Sequence, residues 1–117
     1  MSNETIEEFD LVIVGTGSGN SIPGPEFDHW KIAIVERGLF GGTCLNVGCI
    51  PSKALLESSH LYHLANNQIK DHGVNVGEVS LDLATMMKRK DKVVSDLTKG
   101  IEGLFKANGV ELINGHA

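Results

Sequence analysis

The sequence has 117 residues, with Lys+Arg 10 against Asp+Glu 15 for a formal net charge of −5, and 41% of its residues are hydrophobic. That length bounds the chain to one domain, and the composition excludes intrinsic disorder, collagen-like repeats and low-complexity sequence. The acidic balance, with no basic cluster beyond Lys88, Arg89 and Lys90, excludes a nucleic-acid partner, because phosphate binding relies on a basic face.

No apolar run approaches the roughly 20 residues that cross a bilayer, and the start of the chain is acidic where a secretory leader is basic. The expectation is a cytoplasmic protein with no membrane role. Two cysteines, Cys44 and Cys49, are too few and too close for the disulfide framework of a secreted mini-protein.

Residues 10–15 form a short apolar run ending in glycine, which predicts a buried parallel strand, and residues 31–36 repeat the pattern. Between them, Gly15 to Trp30 is long enough for a right-handed crossover. Pro23, Gly24 and Pro25 lie inside it, remove backbone donors and predict a short or broken crossover helix. A helix is expected from Ser52, with Gly73 marking the loop beyond it. A longer helix follows Ser80, read as its N-cap, with Leu83, Met86, Val93, Leu97, Ile101 and Leu104 recurring at helical steps. Asn108 and Gly109 close that helix. Residues 110–113 predict a third strand, and the chain then stops without a further helix, which looks premature. The fold class is α/β.

The turn after the first strand reads Gly15-Thr16-Gly17-Ser18-Gly19-Asn20. Its first two glycines permit a tight turn and close approach of backbone to a pyrophosphate, although Asn20 stands where a third glycine is usual. Glu36 closes the second strand at about the spacing where a carboxylate accepts hydrogen bonds from an adenosine ribose. A solvated acid at a strand end is the alternative.

The segment from Gly41 through Lys53 carries both cysteines. Five residues of ideal helix advance about 7.5 Å, more than the roughly 7 Å over which two Cα atoms share a disulfide. A bend is therefore expected between them, with Gly48 and Pro51 placed to supply it. The positive end of the second helix and Lys53 would favour the thiolate that exchange chemistry needs. The pair reads as a redox centre; structural thiols, half a zinc site, or an oxidised pair without function remain alternatives. His60 and His63 read as solvated residues on a polar helix face, so no metal site is expected.

Taken together, the glycine turn, Glu36 and the stretch Gly41-Gly42-Thr43-Cys44-Leu45-Asn46-Val47-Gly48-Cys49-Ile50-Pro51-Ser52-Lys53 resemble the flavin-dependent pyridine nucleotide–disulfide oxidoreductases. Within that family, residues 11–51 look like the mycothione reductases and residues 52–117 like the dihydrolipoamide dehydrogenases. The resemblance implies that residues 1–117 are one partial, truncated FAD-binding domain of the doubly wound, Rossmann-like kind, and that the longer enzyme is a homodimer. It assigns the FAD pyrophosphate to Gly15, Gly17 and Gly19, the ribose to Glu36, the flavin region to Gly42, Thr43 and Lys53, and the adenine to Gly115, His116 and Ala117. It makes Cys44 the thiol that exchanges with a small-molecule or lipoyl-type disulfide, and Cys49 the thiol facing the flavin, with Lys53 beside them. NAD or NADP would bind in a further domain. The family's acid–base histidine belongs to a His-Pro motif that none of His29, His60, His63, His72 or His116 matches, so this chain alone is expected to turn over poorly. A non-catalytic FAD-binding or structural fragment is the reading from another class.

Overall fold

A computed structural model describes residues 4–117. Three strands, β1 (Leu11–Val14), β2 (Ile32–Glu36) and β3 (Glu111–Asn114), form one sheet in the order β1-β2-β3, all parallel. Ile13 pairs with Ile34, and Ile34 with Leu112. The middle strand is covered on both faces, so its apolar run is continuous: Ala33 and Ile34 are fully buried. In contrast, β1 is half-buried rather than buried. It has a neighbour on one side among the described residues, and Val12 and Val14 face outward at 49% and 72% exposure.

The connection from β1 to β2 holds no α-helix. It makes two 3₁₀ turns, Ser18–Ser21 and Pro25–Phe27, the second with proline in its first turn. This is the interruption that Pro23, Gly24 and Pro25 impose.

Three helices follow: α1 (Gly42–Asn46), α2 (Cys49–Asn67) and α3 (Leu83–Ala107). The sequence pattern does not reveal α1, because five residues are too few to show a helical period. It also places the start of α2 three residues late. The helix begins at Cys49, and Pro51 is tolerated as its third residue because the first four helical N–H groups have no partner within the helix. Ser80 is not the cap of α3. Asp82 holds that position: its Oδ1 accepts the Thr85 amide at 3.0 Å and its Oδ2 the Thr85 hydroxyl at 2.7 Å. At the far end Gly109 (φ +72°) closes the helix as expected, and the Val110 amide donates back to the Phe105 carbonyl at 3.0 Å.

The described residues fall into two compact units. The first runs up to Gly42 and takes in Thr98–Ala117, so it contains the sheet and the end of α3. Its core is Ile32, Ile34, Phe105 and Val110, with Leu11, Ile13, Phe27, Phe40, Ile101 and Leu112 packed around them. Phe40 meets Phe105 edge to face at 5.9 Å between ring centroids. The second unit is Thr43–Leu97, containing α2 and the beginning of α3. Within it the Arg89 guanidinium donates to the Ala54 carbonyl at 3.4 Å.

Ile34→Ala, at the centre of β2, should destabilise the protein by about 2–5 kcal/mol and Ile34→Val by about 0.5–1.5 kcal/mol, read from denaturant unfolding. At the start of α3, the Thr85 hydroxyl and then the Thr85 amide hold the Asp82 carboxyl below its ordinary range. A lowered pKa means that the cap's contribution is complete above the ordinary carboxylate range and is lost as pH falls through the lowered value. Asp82→Ala should therefore lower the melting temperature at neutral pH, and the difference from the unmodified protein should shrink in acid.

Candidate functional site

In the sheet unit, parallel pairing brings the carboxyl ends of the three strands to one edge. Gly15, with φ +90°, turns the chain sharply as it leaves β1. Its amide donates to the Val35 carbonyl at 2.7 Å, and the Gly115 amide, just past β3, donates to the Glu36 carbonyl at 2.9 Å. Gly15, Glu36, Arg37 and Gly115–Ala117 thus line a single cavity of about 280 Å³. Gly15, Glu36, Gly115, His116 and Ala117, singled out from sequence, are brought together here.

The remaining glycines divide by role. Side chains at Gly17 or Gly19 would meet no protein atom within 4 Å, so the turn is open on that side. Gly42 is different: a Cβ there would lie 2.7 Å from the Gly17 Cα, on a backbone already at φ +73°. Only glycine lets the segment entering α1 pass this close to the turn.

The residue between the first two glycines is the one that sequence reasoning missed. Thr16 is 1% exposed. Its amide and hydroxyl both donate to Glu36 Oε2, at 3.0 and 2.6 Å, and its hydroxyl oxygen accepts the Gly41 amide at 2.8 Å. Asn20, which looks like a defect in the glycine pattern, donates from its side-chain amide to the Thr16 carbonyl at 2.9 Å. The other Glu36 oxygen accepts the Gly38 amide at 2.9 Å. These bonds, the Thr16 hydroxyl first and the Gly38 amide next, outweigh desolvation and hold the Glu36 carboxyl below its ordinary range. A β-branched hydroxyl residue set between two turn glycines was the available clue.

In the other unit, Cys44 lies on α1 and Cys49 opens α2. The expected bend lies between them, at Val47 and Gly48, where the helical run breaks. A Cβ at Gly48 would sit 3.0 Å from the Thr43 carbonyl oxygen and 3.1 Å from the Cys44 Cα, so glycine is what allows the chain to fold back over Cys44. Both thiols are free and exposed, and they are in hydrogen-bonding contact. Lys53, one turn along α2, is near enough to favour the Cys44 thiolate.

The expected lowering at Cys44 does not hold. The Cys44 thiol donating to the Cys49 sulfur comes first, then desolvation, and together with negative charge on Cys49 they push the Cys44 thiol above its ordinary value, against the Cys49 amide and Lys53. A neighbouring sulfur that accepts a hydrogen bond favours the protonated form of Cys44, and this outweighs one exposed lysine.

Comparison with known proteins adds an independent line. The family model described as pyridine nucleotide-disulphide oxidoreductase matches residues 9–117. The chain is 53% identical over 113 residues to a mitochondrial dihydrolipoyl dehydrogenase of Pisum sativum, an alignment covering 94% of this chain and 23% of the relative. It is 51% identical over 113 residues to a leghemoglobin reductase of Vigna unguiculata, covering 94% and 22%. A mitochondrial dihydrolipoyl dehydrogenase of Dictyostelium discoideum is 52% identical over 112 residues, covering 93% and 23%. The chain therefore spans under a quarter of the length of these relatives. The alignments run through Pro51 and Ser52, so a single kind of relative covers both segments that the sequence reading set apart. The expectation of a cytoplasmic protein is overturned by the relatives, which are named mitochondrial in Pisum, Arabidopsis, Dictyostelium and Schizosaccharomyces.

Cys49→Ala removes the largest cause of the raised Cys44 value. The pH profile of Cys44 alkylation, followed by mass spectrometry of its peptide, should move to lower pH in that variant; an unmoved profile would mean that the thiol contact does not govern Cys44.

Proposed function

The chain belongs to the pyridine nucleotide-disulphide oxidoreductase family, and on that basis we propose that it is the FAD-binding, dithiol-bearing portion of a mitochondrial dihydrolipoyl dehydrogenase. The observation that carries this reading is the pair of thiols in contact at the break between α1 and α2, with a lysine beside them. Residues 1–117 are then one partial domain, and the longer protein is a homodimer that takes NAD or NADP in another domain.

The donor set fits FAD. Gly15 makes the turn, Gly17 and Gly19 leave its outer side open, Glu36 offers an ionised acceptor, and Gly115–Ala117 close the cavity beside it. In this reading Gly15, Gly17 and Gly19 hold the pyrophosphate, Glu36 the ribose, and Gly115, His116 and Ala117 the adenine. Gly42, Thr43 and Lys53 serve the flavin end. Bound FAD supplies a two-electron carrier that no side chain of this chain provides.

The protein's own sulfur chemistry is thiol–disulfide exchange. With Cys44 and Cys49 joined as a disulfide, a substrate thiolate attacks the Cys44 sulfur and Cys49 leaves as a thiolate. The second substrate thiol then displaces Cys44, closing the substrate disulfide and leaving both cysteines reduced. One substrate dithiol is oxidised for each protein disulfide reduced. The Lys53 cation offsets negative charge on the sulfurs during both displacements.

Full-length protein reduced with dihydrolipoamide should develop long-wavelength thiolate-to-flavin absorbance. Cys44→Ser should keep that band and Cys49→Ser should lose it. A colourless protein, or two variants with the same spectrum, would refute the reading. The resemblance of residues 11–51 to mycothione reductases makes mycothiol disulfide the competing substrate, and faster turnover with it would reassign the substrate while leaving the sulfur roles in place.

A further inference from the structure

The sheet unit contains a hydrogen-bond chain that a generic glycine turn does not need. It runs in one direction: the Gly41 amide donates to the Thr16 hydroxyl oxygen at 2.8 Å, and that hydroxyl donates to Glu36 Oε2 at 2.6 Å. The Thr16 hydroxyl has a single proton, and its use on the carboxylate fixes the polarity of the whole chain. The remaining polar atoms of Thr16 are also engaged, the amide by Glu36 and the carbonyl by Asn20. Thr16 itself is buried, so the side chain at the centre of these bonds is shielded from solvent. The chain joins three points far apart in sequence: the turn after β1, the acid that ends β2, and the segment that enters α1.

Resting on the FAD reading above, we propose that Thr16 is a positioning residue of the dinucleotide cradle, tying the Glu36 carboxylate to the Gly41–Gly42 segment so that acid and loop are set before the nucleotide arrives. Two features of the side chain suit the task. Its hydroxyl accepts from one element while donating to another. Its branched Cβ restricts χ1, which a serine in the same place does not. With Oε2 held by Thr16 and Oε1 by the Gly38 amide, the carboxylate is fixed about its own torsion. A rigid acceptor loses less freedom when a ribose hydroxyl binds. The close contact of Gly42 with Gly17 lies beside the same chain, so loss of the Thr16 hydroxyl removes one hydrogen bond from the acid and one from the loop together. Arg37 and His116 share the cavity wall with Glu36 and are the other charged or titratable groups facing it among the described residues.

The test compares Thr16→Val, which keeps the shape and removes the hydroxyl, with Thr16→Ser, which keeps the hydroxyl, both in the full-length protein. Two quantities are read: the titration of the Glu36 carboxyl by carbon-13 NMR in flavin-free protein, with His116→Asn as the background, and the dissociation constant for FAD. Thr16→Val should move the Glu36 titration up toward the ordinary carboxylate value and weaken FAD binding about tenfold or more, as loss of a hydrogen bond to a charged group predicts. Thr16→Ser should leave the titration close to that of the unmodified protein and recover most of the affinity. FAD binding that is normal in Thr16→Val with an unmoved titration would overturn the proposal and leave the FAD reading standing. Equal losses in Thr16→Val and Thr16→Ser would also overturn it, because the hydroxyl would then not be the cause. If the unmodified protein took up no FAD, the FAD reading would fall and the cradle role with it, even with a shifted titration.

Discussion

The parallel register of β2 between β1 and β3 is the constraint from which the site follows. When three strands run the same way, their carboxyl ends meet at one edge, and whatever comes next in each segment is delivered there. A glycine turn, an acid and the tail at Gly115–Ala117 come from sequence positions about a hundred residues apart, yet they line one cavity because Ile13, Ile34 and Leu112 stand in register. Burial of Ala33 and Ile34 on both faces makes that register expensive to change. A slip by one residue would turn Ile32 and Ile34 to where Ala33 now sits.

The cysteine pair depends on a different constraint, a break in helical geometry. An unbroken helix would carry the two sulfurs apart along its axis, whereas the fold-back at Gly48 returns the chain over Cys44 and lets the thiols touch. Contact has an electrostatic consequence that helix charge and Lys53 do not cancel: the protonated form of Cys44 is favoured. The fold-back that brings the sulfurs into contact is also what raises the proton affinity of Cys44, so proximity and raised proton affinity come from the same fold.

Much of this was legible in the sequence wherever a single strong signal governed the outcome. Continuous apolar runs marked the strands, prolines marked the broken crossover, and the three- and four-residue steps from Leu83 to Leu104 marked α3. What escaped notice depended on competition between local signals or on contacts distant in sequence. Ser80 and Asp82 are both good caps, and only the Thr85 amide and hydroxyl decide between them. Helix α2 starts at Cys49 because a proline in the first turn costs nothing, although proline ordinarily suggests that a helix has not begun. For Cys44, the positive groups nearby are visible in the sequence, whereas the opposing contact with the Cys49 sulfur appears only in the fold. Thr16 was invisible because the glycine pattern treats the residue between its first two glycines as arbitrary, and its partners Glu36 and Gly41 are twenty or more positions away.

The broken crossover and the Thr16 network are two sides of one design. In a doubly wound fold the helix after the glycine turn ordinarily stiffens that turn and aims its positive end at phosphate. Here the turn is followed by four residues of 3₁₀ helix and then by prolines, so neither rigidity nor a sizeable dipole comes from that quarter. The turn is held by side chains instead, with Asn20 on the Thr16 carbonyl and Glu36 on the Thr16 amide and hydroxyl. Asn20 thus replaces the third glycine with a brace: a glycine there serves close packing of helix against strand, which this connection does not have. A turn fixed by hydrogen bonds to a carboxylate differs from one fixed by a helix in a way that chemistry can detect, because its rigidity depends on the ionisation of one acid.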